Sequence, residues 1–173
     1  MADGESSLRV LRDRRFGPYI GGNFTSNIGN WFQNVAAGIV VFQVTGSNTL
    51  VGTVSVLQFL ATLLLSPWSG ALADRFNRRK LLILAQAISA SGAVGLALWV
   101  GLEGVEGLPG VWPIFAASGI IGLGYAVGIS AMNALIPALV EPDDLDDAIA
   151  LNSASFTLAR AIGPALAGLV VAA

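Results

Sequence analysis

The sequence predicts an all-α membrane protein with five membrane-crossing helices. Two observations carry the prediction. Residues 16–73, 81–102 and 107–140 contain no Asp, Glu, Lys or Arg, and 148–173 contain only Arg160. Eight of the nine basic residues are confined to 9–15 and 75–80. Composition points the same way. Apolar residues make up 54% of the 173 and charged residues 12%, about half the usual charged share, and mean hydropathy is +0.72. One small core cannot hide that much apolar surface, so lipid is the expected solvent and the bilayer the first partner.

A helix needs about 20 mostly apolar residues to cross the hydrocarbon core. The first charge-free run is long enough for two crossings, and Thr45-Gly46-Ser47-Asn48 divides it with turn formers. The spans are then expected at about 17–43, 50–72, 81–101 and 111–137, with a fifth from about 143 to the end. Glu103 to Pro109, with two glycines and two acids, reads as a loop. Membrane-spanning strands would alternate apolar and polar residues over roughly ten positions, and these unbroken apolar runs do not. Residues 1–15 are polar and lack the short apolar core of a cleavable signal. They read as an N-terminal segment ahead of a transmembrane domain at 16–173.

Lys and Arg in short loops mark the cytoplasmic side. Arg9, Arg12, Arg14 and Arg15 precede the first span, and Arg75, Arg78, Arg79 and Lys80 separate the second from the third. The N-terminus is therefore expected in the cytoplasm, in a plasma (inner) membrane. Asp143, Asp144, Asp146 and Asp147 fall where the fifth helix begins and suit its dipole. They could also pair with Arg75, Arg78, Arg79 or Lys80. The chain has no Cys and no His, which excludes disulfides, Cys/His metal sites and His-based catalysis. No paired carboxylates lie inside the apolar runs. An enzyme is not expected, nor is a cofactor, a metal or a nucleic-acid partner.

Polar residues inside the spans are the candidate site. Asn23, Asn27, Asn30 and Asn34 are spaced four, three and four, which sets four carboxamides on one helix face. Such a face should look into protein or a wet cavity, although bonding between helices would also use it. Arg160, on one face with Ser153 and Thr157, is the sole charge within any of the long apolar runs. A guanidinium there costs at least about 2.5–3.5 kcal/mol. Such a residue usually has a wet cavity or a partner (an amide or carbonyl, a residue outside this chain, or an anionic substrate), and snorkelling to an interface is the alternative. Gly124 and Gly128 stand four apart, as in close-packed membrane helices. Tyr125, Ser130 and Asn133 are further polar groups on that span.

The loop Gly70-Ala71-Leu72-Ala73-Asp74-Arg75-Phe76-Asn77-Arg78-Arg79-Lys80 resembles the signature loop of the major facilitator superfamily, G-x-L-x-D-R-x-G-R-[RK]. Asn77 stands where the family commonly has Gly, at a tight reversal where positive φ is expected and Asn is the next best residue. Gly163-Pro164-Ala165-Leu166-Ala167-Gly168 is similar to the G-P-x-x-G-G element in fifth helices of drug:proton antiporters, with Ala167 replacing a Gly. Ser26-Asn27-Ile28-Gly29-Asn30-Trp31, Thr45-Gly46-Ser47 and Leu151-Asn152-Ser153 look like the enterobactin-exporter and macrolide-efflux branch. Many members of that branch carry Asp at the position of Asn30.

The resemblance implies five helices of an N-terminal six-helix half, with the C-terminal half absent. It implies a secondary exporter, driven by protons, of small amphiphiles such as drugs or siderophores. The signature loop (Gly70, Asp74, Arg75, Asn77, Arg78, Arg79) would gate, with Asp74 stabilising the state closed to the cytoplasm. The Asn face and Arg160 would line the cavity. Gly163, Pro164 and Gly168 would join Gly124 and Gly128 in helix packing. A non-transporting membrane scaffold is the alternative reading. The fifth span ends on Val170-Val171-Ala172-Ala173 with no polar flank, so the chain is expected to be a truncated transporter.

Overall fold

The computed structural model describes residues 3–104 and 107–172; the side chains of 3–6, 66, 73, 74 and 172 lie outside the description. Six α-helices follow one another: α1 (Asp3–Leu11), α2 (Phe16–Thr45), α3 (Asn48–Arg75), α4 (Arg78–Glu103), α5 (Trp112–Leu139) and α6 (Leu145–Ala172). A single 3₁₀ turn, Pro142–Asp144, precedes α6. The described residues hold no strand. Stretches of α3, α4, α5 and α6 are long and apolar enough to cross a bilayer. α2, with 30 residues, has the length, but its asparagines and glutamines lower its hydropathy. Five spans were expected, and four meet the test of length and composition.

The chain divides into two compact units, 1–32 with 133–173 and 33–132, each described by itself. In the first, Val10, Phe16, Ile20, Ile136 and Ala148 form the core. The sequence marked 1–15 only as a polar segment, yet α1 forms there. Val10 is almost fully buried in that core. Ser7 donates to Asp147 (3.2 Å) and Arg9 pairs with Asp144. The expected partners of the acidic stretch were Arg75 to Lys80; the one found for Asp144 is Arg9. Arg9 is mostly exposed, and pairs of that kind contribute about 0–1 kcal/mol. Burial of Val10 therefore holds α1 more than charge does.

Asp13 starts α2. Its Oδ1 accepts from the backbone N–H of Phe16 at 2.9 Å and of Arg15 at 2.7 Å. The Phe16 bond first, then the Arg15 bond, hold the carboxyl below the usual carboxylate range. Because the folded pKa is the lower one, the ionised cap contributes fully above the unfolded value. Its contribution is lost as pH falls through the folded value. Thermal unfolding should thus be insensitive to this group down to about pH 5 and weaken below it. Asp13→Asn should reduce that acid-side slope; an identical pH profile would show that the cap does not act.

In the second unit α3 returns antiparallel to the end of α2, with Asn34 against Gln58 and Gly38 against Val51. Gly46 makes the reversal at φ 63°, and Ser47 caps α3 through the N–H of Leu50. α4 and α5 are antiparallel, with Gly92 beside Ala117 and Ile120 and Gly124 beside Ala85 and Ser89. α5 runs parallel to α3, where Gln58 meets Gly122 and Ser69 meets Ser130 at 2.8 Å. The core is Ala37, Val41, Val54, Ile114 and Phe115. α4 buries only Leu81, Ala85 and Gly92, and it leaves Ile83, Leu84, Val94, Leu98 and Leu102 exposed. That suits a helix bathed in lipid.

One expectation is corrected here. Asn77 does not take positive φ; it sits extended at φ −62°, ψ 114°. Its side-chain oxygen accepts from the N–H groups of Arg79 (3.1 Å) and Lys80 (3.2 Å). The reversal needs a cap for α4 rather than a left-handed residue, and Asn is among the best caps. Asn77→Ala should cost about 1 kcal/mol of stability and Asn77→Gly only a few tenths, measured as shifts of the unfolding midpoint in detergent. Equal losses would remove the capping role.

Candidate functional site

The polar residues of α2 and α6 meet within the first unit. Contacts rise together along both helices, so the two run parallel: Asn23 meets Asn152, Trp31 meets Phe156 and Arg160, and Gly163 lies against Ile28 and Phe32. Asn23 Nδ2 donates to Asn152 Oδ1 at 2.8 Å, and Asn27 Nδ2 donates to Asn23 Oδ1 at 3.1 Å. Asn23 and Asn27 are 7% and 3% exposed, so these amides are linked away from lipid, where unmade hydrogen bonds would cost most. Asn30 is half-buried one turn on.

Beyond the amides the seam becomes aromatic and cationic. The rings of Trp31 and Phe156 meet edge to face with centroids 6.2 Å apart. The Arg160 guanidinium carbon lies 5.3 Å from the Trp31 ring centroid, and the Arg160 side chain is exposed. Close approach of the helices makes this possible. A Cβ at Gly163 would come within 2.6 Å of Trp31 Cβ and 2.8 Å of Ile28 O. Gly168, by contrast, faces open space, and Pro164 is partly buried inside α6. The pairing of Arg160 with an aromatic ring was not foreseen; the alternation Trp31, Phe156, Arg160 across two helices becomes a signal only once their register is known.

Asn34, on the same face of α2, belongs to the second unit. It donates to Gln58 Oε1 beside a cleft of about 460 Å³ that Asn34, Gly38, Phe42, Asn48 and Ser55 help to line. Next to it, both amide atoms of Gln33 are buried without a hydrogen-bond partner among the described residues. On α5, Gly124 and Gly128 face α4, through Ala85 and Ser89, whereas Gly122 faces α3 through the Gln58 backbone. Ser130 bonds to Ser69.

The signature loop is a two-residue connection, Phe76-Asn77, between α3 and α4. Gly70 has nothing near its open side. Arg75 ends α3, and Arg78, Arg79 and Lys80 start α4, all exposed. Asp74 lies in the last turn of α3; its side chain is outside the described ones. The described residues contain no Asp/Glu group arranged to hold a metal.

A family model described as transmembrane secretion effector matches residues 5–173. The staphyloferrin A transporter of Staphylococcus aureus is 27% identical over 154 residues, which cover 89% of this chain and 38% of that protein. The enterobactin exporter EntS of Shigella boydii is 31% identical over 153 residues, covering 86% and 35%. Macrolide efflux protein A of Streptococcus pyogenes is 32% identical over 126 residues, covering 73% and 30%. The chain thus spans about a third of the length of these curated relatives. No solved structure matches it.

Proposed function

The chain belongs to the transmembrane secretion effector family of the major facilitator superfamily, a multi-pass membrane protein, and from that premise we propose that it is the N-terminal part of a proton-driven exporter of small amphiphiles such as drugs or siderophores. It contributes five of the six helices of one half: α2 to α6. The cargoes named in its relatives, two of them called exporter or efflux protein, support export of a small molecule. Two halves would rock about a site near the midplane, opening it to each side in turn.

The observation that carries the reading is the linked polar seam of α2 and α6, Asn27–Asn23–Asn152 with Arg160 over Trp31. α2 lies parallel to α6, as the first and fifth spans of a chain crossing back and forth must, and this supports counting α2 as a span. Such a seam would look into a cavity lined by Asn23, Asn27, Asn30 and Arg160. The arginines of the N-terminus and of the loop at 75–80 support a cytoplasmic position for both, at the anionic inner leaflet. Asp74, beside four cations in sequence, would stabilise the state closed to that side.

The test uses a strain stripped of its own efflux pumps. The complete transporter carrying this chain should lower accumulation of a fluorescent amphiphile, and collapse of the proton gradient should abolish the difference. Accumulation equal to the empty-vector control removes the export reading. Asp74→Asn should reduce efflux about tenfold while leaving insertion intact, the scale of a coupling of about 1–3 kcal/mol between conformations. Undiminished efflux by that variant would remove the gating role alone.

A further inference from the structure

Arg160 sits deep in α6. It lies 15 residues from Leu145 and 12 from Ala172, about 22 Å and 18 Å at the helical rise, so neither end is near enough for easy snorkelling. Among the described residues Arg160 forms no ion pair; the one described joins Arg9 to Asp144. What it has instead is the face of Trp31 at 5.3 Å. An aromatic face attracts a guanidinium without neutralising it, and it offers nothing to the five N–H donors. The indole is itself packed against the Phe156 ring, with centroids 6.2 Å apart. On the same face of α6, Ser153 and Thr157 donate their hydroxyls to carbonyls of their own helix, Ile149 O and Ser153 O, both at 2.9 Å. Their protons are therefore occupied, and Arg160 is the strong donor left on that face.

We infer that Arg160, held by Trp31, is an anion-reading subsite, and that the transported molecule carries a carboxylate or similar planar oxyanion next to an apolar or aromatic body. The inference rests on the reading above that this seam faces the cavity. A planar oxyanion takes two parallel hydrogen bonds from a guanidinium, at a depth where water competes little. Its apolar body would lie along Trp31 and Phe156. A cationic amphiphile meets an unneutralised like charge, and a neutral one gains only the aromatic wall. Arg160 thus decides charge specificity.

The experiment reconstitutes the complete transporter carrying this chain in nanodiscs of zwitterionic lipid and measures equilibrium dialysis of three probes matched in shape: 1-naphthoate, 1-naphthalenemethanol and 1-naphthylmethylammonium. Binding to empty nanodiscs is subtracted. The wild type should bind the anion at least about tenfold more tightly than the neutral probe, the range of a good charge-assisted contact, and the cation weakest. Arg160→Gln should erase the preference of the anion over the neutral probe. Arg160→Lys should keep the order with a smaller ratio, because an ammonium cannot make the forked contact; this variant also guards against misfolding of the Gln variant. Trp31→Leu should weaken all three. Equal binding of the three probes by the wild type, or an anion preference that survives Arg160→Gln, overturns the inference and leaves the cavity standing. No specific binding of any probe overturns the inference and the cavity reading together.

Discussion

Replacing Gly163 by leucine should separate α6 from α2 and abolish the polar seam. Even one added carbon has no room. Its Cβ would fall 2.6 Å from Trp31 Cβ, 2.8 Å from Ile28 O and 3.0 Å from Phe32 N, and two of those atoms are backbone that no rotamer change can move. Alanine should already cost about 1–3 kcal/mol, and leucine more. In lipid there is little hydrophobic force to press the helices together again once they part, because close van der Waals contact and interhelical hydrogen bonds are what join them. The Asn23–Asn152 bond, the Trp31–Phe156 contact and the Arg160–Trp31 contact should then fail together. Tryptophan fluorescence on heating in detergent should show an early, broadened transition for Gly163→Leu. Gly168→Ala is the control. Its added methyl meets open space, so it should lose nothing and gain up to about 1 kcal/mol from helix propensity. An unchanged transition for Gly163→Leu would mean that the helices do not approach closely here.

The four expected segment boundaries between long apolar runs were legible because charge is excluded from hydrocarbon whatever else a helix touches. A helix was expected at 17–43 and runs over Phe16–Thr45, and another at 81–101 and runs over Arg78–Glu103. Helix α1 was not legible. Its nine residues are too short to be helical on their own, and they are ordered by Val10 in a core drawn from Phe16, Ile20, Ile136 and Ala148. The Asn face was visible from spacing, but not its partner Asn152, because the parallel register of α2 on α6 is set where Gly163 lets the backbones touch. The partner of Arg160 was sought among amides, carbonyls and anions, and an aromatic ring took the position. Asn77 was read as a substitute for glycine's freedom. It serves through its side chain, which glycine lacks.

Gly124→Val should free α4 from α5, and the reason lies in how little else holds α4. Its three buried residues, Leu81, Ala85 and Gly92, are spaced four and seven apart, so they form one stripe. Gly124 lies in the deepest part of that contact, where an added Cβ would strike Ser89 Oγ and come within 2.6 Å of Ala85 O and 2.8 Å of Ser89 N. The stripe is tight on both sides of it. A Cβ at Gly92 would meet Ala117 O at 3.0 Å, and one at Gly128 would meet Ala85 Cβ at 3.2 Å. Valine brings two more carbons to a place that cannot take one, at a cost of about 1–3 kcal/mol or more. The rest of α4 exposes Leu84, Leu98 and Leu102 and can float free in lipid without penalty, so opening here is local. The chain has no native cysteine, which makes the motion directly readable. Ala85→Cys, 2% exposed at that site, should react slowly with a lipid-permeant maleimide. In the Gly124→Val background it should react roughly 5–30-fold faster, the rise in open population for about 1–2 kcal/mol. Gly119→Ala, which meets open space, should leave the rate alone. Labelling as slow with valine at 124 as with glycine would show that α4 is held by something other than this stripe of small residues.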